Sequence, residues 1–198
     1  MILVIDTATA ACSVALIQDD EVVGEWHEIV GRGHAERLLP AIEALLGGRR
    51  PDSILVDCGP GSFTGVRVGL AAAHGLRIGW EVPLAGYSST AIVAAAAGGE
   101  VGVALTAGHG QLFVQSFAHD PLRPTDALRS LLPEEAAAAV SAGLVIGSGA
   151  GRLVELRGWG RAAEALPRAA DAHLLPQSLR NLPPRPIYGR APDARPST

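Results

Sequence analysis

Ile2 to Asp6 is an unbroken, β-branched apolar run that ends in a carboxylate, the pattern of a buried strand. Cys12 to Gln18 predicts a second strand, and Glu21 to Glu28, with rough alternation, a third. Asp19-Asp20 between them makes a hairpin-type turn. From His34 the period changes. Leu38, Leu39, Ile42, Leu45 and Leu46 follow i, i+4, i+7, i+8 spacing, one face of a helix that Gly47-Gly48 stops. Pro40 lies inside that run, where it either kinks the helix or marks its true first turn. Ser53 to Cys58 predicts a strand running into Gly59-Pro60-Gly61. A helix capped by Ser62 or Thr64 follows, continuing to the neighbourhood of Gly79. Val82 to Ala85 predicts another strand, and a helix starts at Ser88 or Ser89 and runs through the alanines to Ala97.

The order is βββαβα with one more strand and helix, and Gly98-Gly99 reads as a boundary. Beyond it come strands at Val101–Thr106 and Leu112–Phe117, a helix near Glu134–Val140, a strand at Leu144–Ile146 and a helix at Ala150–Leu156. A helical stretch around Ala169–Leu179 closes the series. This is a weaker version of the first order without sequence repetition. From Leu182 prolines dominate, at Pro183, Pro184, Pro186, Pro192 and Pro196, so the end is expected to be extended or mobile. The pattern therefore predicts an α/β protein with an N-terminal lobe at 1–98, a C-terminal lobe at 99–182 and a Pro-rich segment at 183–198.

Composition removes several chemistries. All 16 basic residues are Arg, so there is no lysine for a Walker A loop, a kinase-type phosphate contact or a Schiff base. With 20 acidic residues the net charge is −4, and only three Trp, two Tyr and three Phe are present. Unaided tight binding of nucleic acid is not expected from such a chain. No apolar stretch reaches the roughly 20 residues of a membrane span, and the start lacks the basic region of a signal peptide. Cys12 and Cys58, isolated beside apolar runs, are expected as buried thiols in a reducing cytosol.

Asp6-Thr7-Ala8-Thr9 is the first candidate for chemistry. A carboxylate at a strand end followed by hydroxyls can hold Mg²⁺ through water and donate to phosphate, or can simply satisfy its own turn. In Gly59–Arg67 the glycines and a helix N-terminus can receive an anion, with Gly59, Gly61 and Ser62 joining Asp6, Thr7 and Thr9 at such a site. The segment is neither G-x-G-x-x-G nor Walker A. Gly65, Gly69 and Ala73 form a small-residue face suited either to tight internal packing or to a binding surface. His34-Ala35-Glu36 matches the H-x-E piece of zinc deaminases, but P-C-x-x-C is missing. His27, His74, His109, His119 and His173 show no ligand spacing, and neither H-E-x-x-H nor G-x-S-x-G occurs. No metal site is expected, and a metalloprotease has no supporting motif.

Ile5–Thr9 followed by Cys12–Leu16, His34 with Leu38-Leu39-Pro40, Gly59–Arg67, and Pro186–Ala194 together resemble the TsaB (YeaZ) family. The likeness is dense over 1–90 and again at 186–194, with Gly59–Arg67 its most specific part. The resemblance implies an actin/Hsp70/sugar-kinase-like (ASKHA) fold of two βββαβα lobes with mixed sheets. It also implies a role in making threonylcarbamoyladenosine next to the tRNA anticodon. In that system TsaD is the transferase, using a metal held by histidines, and TsaB is its non-catalytic paralogue and obligatory partner; a TsaE ATPase joins them. Where TsaD relatives carry a metal-binding histidine stretch, this chain has Ser88–Val93. The family's helices, at about 33–46 and 64–78 here, pack against a TsaD pair in a four-helix bundle. That assigns the partner interface to His34, Leu38, Leu39, Ile42, Leu45, Val66, Arg67, Leu70 and His74, so Leu38→Glu or Leu70→Glu is expected to abolish binding. The resemblance implies no cofactor for this chain alone, ATP/ADP and a metal in the partner assembly, and tRNA contact only through the complex. Apart from the resemblance, the apolar helix face is expected to allow a homodimer in isolation, and the composition no membrane contact and a cytoplasmic location. Thr106–Phe113 departs from the family by lacking its charged groups. The alternative from another class is an independent Mg-ATP-binding enzyme of the actin/sugar-kinase superfamily.

Overall fold

Two hairpin links and two helical crossovers decide the first sheet. In the computed structural model, which describes residues 1–189, β1 (Ile2–Asp6), β2 (Ala11–Gln18) and β3 (Glu21–Ile29) are joined by tight turns and pair antiparallel. Asp19 and Asp20 both take positive φ, 53° and 60°, the backbone of a two-residue hairpin turn. Helix α1 (His34–Leu46) carries the chain across to β4 (Ser53–Asp57), and α2 (Phe63–Trp80) across to β5 (Leu84–Tyr87), so these strands pair parallel. The strand order is β3-β2-β1-β4-β5, a mixed sheet.

Helix α3 (Ser89–Ala95) leads to the second sheet. There β6 (Val101–Thr106), β7 (Leu112–Ala118), β8 (Arg123–Pro124) and β9 (Arg129–Leu131) are followed by α4 (Pro133–Ala139), β10 (Leu144–Ile146), α5 (Ala150–Arg157) and β11 (Arg161–Ala163). The order is β11-β10-β6-β7-β8, with β9 also on β7, again mixed. Both faces of each sheet are used. Leu3, Ile5, Val14 and Leu16 pack under α1 and α2, whereas Val4, Ala15 and Ile17 join Ile92, Val103, Leu105 and Phe117 in a core shared with the second sheet. A third cluster, with Val114, Val140 and Leu153, lies under α4 and α5.

Several expectations shift. Helix α1 begins six residues before Pro40, which therefore does not mark its first turn. The proline lies on the exposed side beside Leu39, away from the packed face of the helix. Strand β5 lies two residues later than expected, because the parallel register places Leu84 against Ile54 and Tyr87 against Asp57. The stretch near Ala169–Leu179 is not α-helical; it makes 3₁₀ turns at Ala169–Leu174 and Gln177–Leu179, with Pro176 between them removing a donor. From Leu182 the chain is extended and attached. Leu182 and Gly86 exchange two backbone hydrogen bonds of 2.8 and 2.9 Å, and Ile187 N donates to Cys58 O at 2.7 Å. Arg190–Ala194, part of the C-terminal motif, lie outside the described residues. Among the described residues no helix is long and apolar enough to cross a membrane.

Candidate functional site

Adjacent parallel strands β1 and β4 both end in a carboxyl group, and both groups are buried. Asp6 accepts from Ala8 N at 3.1 Å and from the Tyr87 hydroxyl at 3.1 Å. Asp57 accepts from Gly59 N at 2.7 Å and from the Ser89 hydroxyl at 2.9 and 2.7 Å. The two carboxyls also hydrogen-bond each other, which requires a proton between them. Burial raises the pKa of both. At Asp57 the neighbouring Asp6 charge and their hydrogen bond push it further, well above the ordinary range. Both shifts point upward, so the buried pair favours holding a proton between its two members. Burial, with both carboxyls adding, also pushes the Tyr87 phenol up.

The glycine-rich turn is closed onto this end of β1. A Cβ on Gly61 would run into the Ala8 carbonyl oxygen, one on Gly65 into that of Thr7, and one on Gly69 into the Thr7 hydroxyl. The Thr7 hydroxyl itself donates to Gly65 O at 2.7 Å. The small-residue face thus serves internal packing, not an open surface. Ser62, not Thr64, caps α2, accepting from Gly65 N at 3.3 Å. Of the six residues expected around a phosphate, Asp6, Thr7 and Gly59 are buried, whereas Thr9, Gly61 and Ser62 reach the cleft described below.

The nine residues expected at a partner interface also divide. His34, Leu38, Ile42, Val66 and Leu70 are buried in the chain's own core or against its own backbone, so they cannot also form an exposed face while this fold stands. His34 Nε2 lies 2.9 Å from Thr9 O and 3.3 Å from Ala11 O; with only carbonyls facing it, this nitrogen carries the hydrogen and ties α1 to the β1–β2 loop. His74, half-buried, reaches Pro184 O at 3.1 Å, and Leu45 is half-buried. Leu39 and Arg67 point outward, and the same helices expose Ile78, 74% accessible.

A cleft of about 950 Å³ opens at the junction of the two sheets. Thr9, Ser62 and Phe63 line it from the first lobe, and Leu105, His109 and Phe113 from the second. Arg67 and Tyr188 complete the first wall, with Arg67 Nη2 donating to the Tyr188 hydroxyl at 3.0 Å. Sequence reasoning missed Phe63, His109, Phe113 and Tyr188 as site residues. The only local signal is the i, i+4 spacing of Phe63 and Arg67 on one helix. Among the described residues no three His, Cys, Asp or Glu side chains gather as a metal-holding group. Cys12 and Cys58 are buried free thiols, each pushed up to about 12 chiefly by burial.

Two mixed α/β lobes sharing a core, with a cleft at their junction, make an actin/sugar-kinase-like fold. EutJ from Carboxydothermus hydrogenoformans shares that fold at a TM-score of 0.50 and 13% identity, over 88% of this chain and 89% of that one. Residues 19–143 match the family model described as "TsaD: tRNA N6-adenosine threonylcarbamoyltransferase". A Pseudomonas aeruginosa structure described as an uncharacterized protein with similarity to peptidase YEAZ superposes at a TM-score of 0.80 with 30% identity, covering 96% of this chain and 99% of that one. The tRNA threonylcarbamoyladenosine biosynthesis protein TsaB of Escherichia coli K12 is 45% identical over 93 residues, 44% of this chain. The match spans 40% of the length of that relative. The chain belongs to the TsaB/YeaZ family.

Proposed function

We propose that this chain is the non-catalytic partner of a TsaD-like transferase in forming threonylcarbamoyladenosine next to the tRNA anticodon. It binds the transferase through the outward sides of α1 and α2 and stabilises the transferase's competent conformation, an effect that requires tighter binding to that state than to others. A TsaE-like ATPase joins the assembly. ATP/ADP and the metal belong to the partners, and tRNA is engaged through the complex.

The observation that carries this reading is the closed strand-end turn. Asp6, Asp57 and Thr7 are buried and engaged by the chain's own groups, leaving little at the strand ends to receive a phosphate. The independent Mg-ATP enzyme is the weaker reading for the same reason, since two of its phosphate residues, Asp6 and Thr7, are buried and engaged. On the outward faces Leu39 and Ile78 stay exposed, the composition of a surface that gains by being covered. These exposed side chains are also the contacts we propose for a homodimer of the isolated chain. Reconstitution of tRNA modification from purified partners tests the proposal. Omitting this chain should reduce the initial rate at least about tenfold, and an unchanged rate overturns it.

A further inference from the structure

Burial stops abruptly near the end of the described chain. Ala169, Ala170, Ala172 and Leu175 lie in the core shared by the two sheets. The Arg180 guanidinium fastens the end of that stretch, donating to Leu175 O and His173 O at 2.6 Å each and to Asp20 at 3.0 Å. Beyond this staple no residue from Asn181 to Gly189 is buried, although the segment lies along the first lobe at Gly86, Cys58 and Arg67.

What holds residues 182–189 is sparse and mostly polar. Leu182 and Gly86 exchange backbone hydrogen bonds, Ile187 N donates to Cys58 O, His74 donates to Pro184 O at 3.1 Å and Arg67 to the Tyr188 hydroxyl at 3.0 Å. Each of these replaces a bond to water and adds little net. Ile187 is the one side chain of the segment packed against a core cluster. Pro183, Pro184 and Pro186 fix φ in advance, so the segment loses little freedom when it docks. Few attachments at low ordering cost describe a unit that can leave and return while the rest stays folded.

Its seat is shaped for it. A Cβ on Gly86 would run into the Cys58 sulfur and lie 3.3 Å from Leu182 O, and one on Gly59 would lie 3.2 Å from Ile187 O. Cys58 Sγ sits 3.7 Å from Pro183 O, beneath the segment. At the far end Gly189 abuts the second lobe, where a Cβ would come within 2.6 Å of the Phe113 ring.

We propose that residues 182–189 form a clasp that opens and closes as one unit on the folded chain, closed here over Cys58 and the β5 edge. Opening withdraws Tyr188 from the cleft wall and leaves Gly86 N–H and C=O as a free strand edge, so both surfaces change together. The clasp does not rest on partnership with a transferase and is tested on the isolated chain.

The two thiols read the clasp directly. Both are fully buried and both are pushed up to about 12, so access rather than chemistry separates their reactivity. Cys12, in the cluster under α1 and α2, is the reference for unfolding of the lobe. In iodoacetamide labelling resolved by peptide mass spectrometry, Cys58 should react at least about tenfold faster than Cys12. Urea below the unfolding midpoint should speed Cys12 steeply and Cys58 little, because opening the clasp exposes little surface. Ile42→Val, in the cluster around Cys12, should speed Cys12 about threefold and leave Cys58 within about twofold. Ile187→Asp should speed Cys58 at least about fivefold. Cys58 labelling as slow as Cys12 with the same urea dependence overturns the proposal, a reading that needs only the wild-type chain. An unchanged Cys58 rate in Ile187→Asp overturns it as well.

Discussion

Asp57, at a strand end, is buried against a second carboxyl group. Its folded pKa is raised, so the folded state holds the proton more tightly than the unfolded chain does. The stability contributed by the pair is full below the unfolded carboxyl value and is lost as pH rises through the raised folded value. Replacement by Asn keeps an oxygen for Gly59 N and Ser89 and supplies a permanent donor toward Asp6. Asp57→Asn should raise Tm at neutral pH by about 2–4 °C, the shift that about 1 kcal/mol produces in a domain of this size. It should also flatten the dependence of Tm on pH above the ordinary carboxylate range. Asp57→Ala leaves Gly59 N and Ser89 without their acceptor and should cost about 1–3 kcal/mol in urea unfolding. A carboxylate ending a strand was visible in the sequence at Asp6, whereas Asp57 fell inside the strand expected over Ser53–Cys58. That the two share one proton was not visible, because β1 and β4 become neighbours only after a helical crossover.

At the scale of elements, α1 and α2 show what periodicity can and cannot say. A stripe at helical spacing marks a side that leaves water, and the physics is the same whether a sheet or another protein covers it. The stripe of Leu38, Ile42, Val66 and Leu70 is covered by the chain's own strands. Leu38→Glu should therefore unfold the first lobe, with a loss of at least about 3 kcal/mol, because it buries an unpaired charge. Leu39→Glu and Ile78→Glu, on the exposed side, should leave Tm within about 2 °C while reducing capture of the transferase in pull-down. If both exposed variants capture the transferase as the wild type does, the contact lies elsewhere. Long elements were legible because their apolar residues repeat. Strands β8, β9 and β11 have two or three residues each and little burial, so their only determinant is backbone pairing with a neighbour distant in sequence.

Across the whole molecule, the return of the chain from Leu182 to Gly189 joins fold and site. It runs along β5 at Gly86, packs Ile187 against the first core and delivers Tyr188 to Arg67 across 121 positions of sequence. Ile187→Asp should release this segment and lower Tm by about 2–4 °C, the scale of one half-buried aliphatic side chain. Sequence by itself determined the class of fold, the order of its longer elements, the free buried thiols and the missing lysine chemistry. These follow from local periodicity and residue type alone. Only the tertiary structure decided which sides of α1 and α2 are spent on the core, that two strand-end carboxyls meet there, and that Arg67 joins Phe63 to Tyr188. Each of these depends on residues far apart in the chain meeting within a few ångströms, and no local pattern encodes that distance.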